Sequence, residues 1–185
     1  MRLNLIASAA TLTAVAALGG CAMSPMMAPM MVDNAALPEA VRVPAGEVQK
    51  LATVTDGGQI TYECRDKKDM AGQYEWVFVG PVAQLKDASG KTVGNYFGPP
   101  ATWVSTDGSK VVGKQVAVAP NQPGSLPLQL VKADAVSGSG AMQGVTYVQR
   151  LKTVGGVVPA APCAEANKTE KKVVSYSADY VFYGR

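Results

Sequence analysis

Three kinds of hydrophobic patterning follow one another along the chain. Leu5 to Leu18 is an apolar stretch rich in Ala, Leu and Val, preceded by the single charge of Arg2. Ala22 to about Pro38 is rich in Met, Pro and Ala, carries almost no charge and shows neither helical nor strand periodicity. Beyond Leu37 apolar residues recur at alternate positions in short runs separated by Gly, Asp, Ser and Pro, which is the period of half-buried β-strands. The pattern therefore divides the chain into a segment 1–20, a tether 21–36 and a single β domain 37–185.

Within the domain, Thr53 to Thr55 and Gln59 to Cys64 flank Asp56-Gly57-Gly58, whose glycines suit a hairpin turn and predict one there. Tyr74, Trp76 and Phe78 share one strand face, and Asp87-Ala88-Ser89-Gly90 and Thr106-Asp107-Gly108-Ser109 read as turns. Thr102-Trp103-Val104 follows the break at Pro99-Pro100, and Pro127 within the Leu126, Leu128, Leu130 run argues for a sheet edge. Val145 to Leu151 forms a further run, and Val174, Tyr176, Ala178, Tyr180 and Phe182 line one face of a closing strand. About eight to ten short strands with turns about every ten residues predict an all-β fold, an antiparallel β-sandwich or closed β-barrel, with the sandwich preferred. The inward-looking apolar faces argue against an outer-membrane barrel.

The apolar stretch at the start is about fourteen residues, short of the roughly 20 needed to span a bilayer as a helix, and small residues follow it. That order reads as an export signal. Leu18-Gly19-Gly20-Cys21 resembles the bacterial lipobox, which implies cleavage after Gly20 and acylation of Cys21. Two or three acyl chains hold a protein stably on a bilayer. Ala22 in place of Asp implies, by the lipoprotein sorting rule, the outer membrane with the domain on its periplasmic side.

Composition removes whole classes of chemistry. The chain of 185 residues has no histidine, which excludes a His-based triad, a His general base and a His metal ligand. A net charge of +3 without clustered basic residues gives no footprint for nucleic acid. Gly138 to Gly144 lacks the helix that a phosphate-binding loop must open, so no cofactor motif is found. Five of the eight methionines fall in the tether, and thioethers suit Cu(I), so Met26, Met27, Met30 and Met31 are a candidate metal arm, with a merely flexible tether as its rival. Of the three cysteines, Cys21 is spent on the lipid; Cys64 and Cys163 are then expected to pair in an oxidising compartment.

The run Thr102-Trp103 to Asp107-Gly108-Ser109-Lys110-Val111-Val112-Gly113, with Val145-Thr146-Tyr147-Val148-Gln149-Arg150, Thr153-Val154-Gly155-Gly156, Pro159 and Cys163, resembles an uncharacterised secreted family, domain of unknown function 3455. The likeness covers about Leu37 to Tyr183 and takes in Cys64 and Tyr176-Ser177-Ala178-Asp179-Tyr180. It implies the paired cysteines and no established activity. Relatives often carry a histidine where this chain has Asn95-Tyr96-Phe97, so no role for that histidine is carried over. Trp103, Asp107, Tyr147 and Arg150 are the candidate ligand-binding residues, because the likeness concentrates on them.

These readings predict a non-enzymatic envelope lipoprotein, tied to the membrane by its lipid, whose β domain meets an envelope protein or a small ligand. Two alternatives stay open, a periplasmic Cu(I)-binding protein using the Met-rich tether and a secreted enzyme without His-based catalysis.

Overall fold

The computed structural model describes residues 30–185. The segment 1–20 read as an export signal, Cys21, Met26 and Met27 lie outside the described residues. Eight strands follow in order: β1 Val48–Asp66, β2 Tyr74–Lys86, β3 Thr92–Phe97, β4 Ala101–Ser105, β5 Lys110–Ala119, β6 Leu128–Ser137, β7 Val145–Gly155 and β8 Lys171–Gly184. Each pairs antiparallel with its sequence neighbours, and β1 pairs with β8, closing the sheet into a barrel. The all-β, antiparallel, disulfide-bonded fold is as expected, and of the two architectures the sequence allowed it is the closed barrel. Closure leaves no sheet edge, so Pro127 sits immediately before β6 rather than on an edge strand.

One expected hairpin is absent. Asp56-Gly57-Gly58 does not turn the chain; β1 continues through it and is bulged there against both β2 and β8. Gly57 takes a φ of 58°, and a Cβ on Gly58 would lie 2.4 Å from the Tyr176 carbonyl oxygen. The same two glycines that suit a turn here permit an extra-residue kink and a close approach of β8, and the long bent strand can then bond to neighbours on both sides.

Alternation sends one face of every strand inward. Ile60, Tyr62, Leu85, Tyr96, Trp103, Val111, Val131, Val148, Tyr180 and Phe182 fill the interior. Its centre is aromatic: Trp103 stacks on Tyr96 at 4.9 Å between ring centroids and meets Tyr180 and Phe182 edge-on at 5.5 and 6.1 Å. An eight-stranded barrel encloses just enough room for such a filling or for one small ligand.

A second apolar cluster lies on the outside. Val41, Val43, Leu130, Leu151, Val181 and Tyr183 pack together where the chain from Met30 to Glu47 covers the barrel wall. Asp33 caps a 3-10 turn over Asn34–Ala36, and the Asn34 side chain bonds both ways to the backbone of Val43, at 3.0 and 3.1 Å. Gln149, fully buried on β7, donates to Asn34 Oδ1 at 3.0 Å and to the Val41 carbonyl at 2.7 Å. The cover reaches back to Met30, whose carbonyl accepts from the Gln49 amide, into the stretch that composition assigns to the tether.

Candidate functional site

The two ends of the barrel differ. At one end the β4–β5 turn and the β6–β7 connection are locked together by Asp107. Its Oδ1 accepts from the Ser109 hydroxyl at 2.5 Å and the Ser109 N–H at 2.8 Å, while Oδ2 accepts from the Ala141 N–H at 2.8 Å. The Ser109 hydroxyl in turn accepts from the Met142 N–H at 3.0 Å, and Met142 is buried against the core as a plug. The Ser109 hydroxyl bond, with the Ala141 and Ser109 N–H bonds behind it, draws the Asp107 carboxyl down to about 2.

The other end carries a cleft of about 410 Å³. Its apolar walls include Phe78 and Pro81 of β2, Tyr96 of β3 and Val131 of β6; its polar groups are Lys114, Gln115, Gln129 and Arg150. The Gln129 amide donates to the Gln115 side chain. The Gly98-Pro99-Pro100 turn, with both X-Pro bonds cis, brings Pro99 to the rim. Beneath the cleft a chamber of about 40 Å³ is bounded by Arg150, Tyr96, Tyr176 and Tyr180, among others. Arg150 therefore stands between cleft and chamber.

Strand alternation explains that position. Val148 and Arg150 face inward from β7, whereas Tyr147, Gln149 and Leu151 face the outer cover. One guanidinium N–H donates to the Pro127 carbonyl at 3.1 Å. Arg150 Nε is withdrawn from solvent and has no hydrogen-bond partner among the described residues. Nor does Arg150 form an ion pair among them. The neighbouring phenols do not supply a negative charge, because burial pushes Tyr96, Tyr176 and Tyr180 upward and the positive Arg150 only partly offsets it. Tyr176 and Tyr180 hydroxyls lie 3.4 Å apart as a hydrogen-bonded pair, and the Tyr62 hydroxyl donates to the Gly156 carbonyl at 2.8 Å.

The long connection from β7 to β8 is fastened at the same end of β1. Cys64 and Cys163 form the expected disulfide, with Cα atoms 5.5 Å apart. Trp76 Nε1 donates to the Ala161 carbonyl at 2.7 Å, and the Lys172 ammonium lies 5.4 Å over the Trp76 ring.

The four residues singled out from the sequence do not converge on one point. Trp103 sits at the aromatic centre, 1 % exposed, behind the cleft and stacked on Tyr96. Arg150 lines the cleft, Asp107 clamps the opposite end, and Tyr147 packs beneath the outer cover. Of the tether methionines, Met31 is exposed and Met30 borders an apolar groove with Ala52, Val54 and Lys86. Among the described residues no group of three or more His, Cys, Asp or Glu side chains is placed to hold a metal ion. Phe78, Tyr96, Gln115 and Gln129 were not legible as site residues; only Tyr96, beside the histidine position of the resembling family, carried any signal.

A family model described as a protein of unknown function, DUF3455, matches residues 44–184. No curated protein and no solved structure matches the chain.

Proposed function

The chain belongs to the DUF3455 family of proteins of unknown function, and from that premise we propose that it is a non-enzymatic envelope lipoprotein whose barrel holds a small ligand in the cleft beside Arg150. Arg150 carries the reading: a guanidinium directed into the barrel, with one hydrogen bond to the protein and no ion pair among the described residues, at the floor of a cleft of about 410 Å³. Cavities of several hundred Å³ with apolar walls and a few placed polar groups are the usual form of a small-molecule site. The cleft lining contains no carboxylate, histidine or cysteine, which favours holding a ligand over general acid–base or nucleophilic chemistry on it.

The lipobox resemblance at Cys21 supports a lipid anchor, Ala22 in place of Asp supports the outer membrane with the barrel on the periplasmic side, and the disulfide fits an oxidising compartment. The test of the ligand reading is fluorescence titration of the full mature chain carrying Cys21→Ser, which needs no detergent, with the apolar dye phenylnaphthylamine. Saturable binding of one dye per chain, lost when Gln115→Trp at the exposed side of the cleft crowds it, is expected. Absence of saturable binding, or binding indifferent to Gln115→Trp, overturns it.

A further inference from the structure

The lining of the cleft also specifies the chemistry of its occupant. We propose that the cleft selects a compact apolar molecule bearing one anionic group, a carboxylate or a sulfonate, which Arg150 holds; this rests on the ligand-holding reading above.

The cleft is lined by two cationic side chains, Arg150 and Lys114, and by no acidic one. Arg150 is half-buried with its Nε withdrawn from water and unpaired among the described residues, and a charge so placed is costly unless an opposite charge and hydrogen-bond acceptors meet it. The protein supplies one acceptor, the Pro127 carbonyl, and its nearest candidates for an internal anion, the phenols of Tyr96, Tyr176 and Tyr180, are kept neutral by burial. Arginine offers five N–H donors in a rigid planar fork that matches the two oxygens of a carboxylate or two of the three oxygens of a sulfonate.

Phe78, Pro99 and the edges of Pro81 and Tyr96 present apolar surface to whatever the guanidinium holds, with Val131 packed behind them. The chamber below, about 40 Å³ against about 410 Å³ for the cleft, is too small for a long acyl tail. The ligand body therefore stays in the cleft, and a compact ring system fills it.

Anilinonaphthalene sulfonate and phenylnaphthylamine share their rings and differ by the sulfonate, so paired titrations isolate the anion. The protein is again the full mature chain carrying Cys21→Ser. Wild-type side chains at the cleft should bind the sulfonate at least about tenfold more tightly than the neutral dye, the scale of one charged hydrogen bond. Arg150→Gln should erase that preference and leave phenylnaphthylamine affinity unchanged. Gln129→Glu keeps Arg150 and places a carboxylate in the cleft; it should weaken the sulfonate selectively, which guards against an unfolded Arg150 variant. Equal affinity for the two dyes, or a preference that survives Arg150→Gln, overturns the anion assignment while leaving the ligand-holding reading intact. Failure of both dyes to bind overturns both.

Discussion

Replacing Cys64 and Cys163 together by alanine removes the single covalent bridge of the barrel, which spans a sequence separation of 99. In the chain-entropy treatment a crosslink closing a loop of that size destabilises the unfolded chain by about 4.7 kcal/mol. The folded state changes less. The backbone of Cys64 stays bonded to Glu170 and Thr169 at 2.9 and 2.8 Å, and Trp76 still holds Ala161. Most of the effect therefore lies in the freed unfolded ensemble, and two consequences follow together. Urea denaturation under oxidising conditions, followed by tryptophan fluorescence, should show stability lower by about 3–5 kcal/mol, a large share of the ~5–15 kcal/mol typical of a domain. The dependence on denaturant should steepen as well, because the unlinked chain exposes more surface. A loss below about 1 kcal/mol with an unchanged slope would refute the reasoning, since it would mean that the bridge merely decorates contacts that already hold the connection.

Two further outcomes test other parts of the fold. The Asp107 carboxyl sits at about 2 when folded against an ordinary 3.8, so the stability it contributes is fully present above the higher value and is lost as pH falls through the lower one. Melting temperature should fall more steeply from about pH 4 to about pH 2 in the wild type than in Asp107→Asn, and parallel profiles contradict the clamp. Gly113→Ala puts a Cβ 2.5 Å from Val131 Cγ1 and 3.3 Å from Trp103 Cζ3, two fully buried neighbours, so thermal or urea unfolding should report a loss of about 1–3 kcal/mol with altered Trp103 emission. Wild-type stability in that variant would show that the barrel centre is looser than the packing implies.

Period-two patterning made the strands and most turns readable. Asp87 to Gly90 and Thr106 to Ser109 do turn the chain, and Tyr176, Ala178, Tyr180 and Phe182 do share the inner face of β8. What patterning could not decide is whether a sheet of that length closes. Closure depends on β1 pairing with β2 and β8 at once, and the bulge that lets it do so is made by Gly57 and Gly58, residues whose local chemistry equally suits a hairpin. The clamp was half visible: Asp107 was recognisable in its turn, but its partner Ala141 comes from a connection on another pair of strands. The cleft was least legible, because Phe78, Tyr96, Gln115, Gln129 and Arg150 come from five strands and meet only through barrel register. The outer cover escaped notice for a related reason. Val32, Asn34 and Leu37 have no period, and they dock individually, on Gln49, Gln149 and the Leu128–Leu151 surface.

A crystal structure of the chain carrying Cys21→Ser, grown with anilinonaphthalene sulfonate, tests the ligand-holding barrel most directly. The account predicts sulfonate oxygens about 3 Å from the Arg150 guanidinium, with the rings against Phe78 and Tyr96. Dye found only on the outer wall, for example over the exposed Val82 and Phe97, with nothing bound at Arg150, would contradict it.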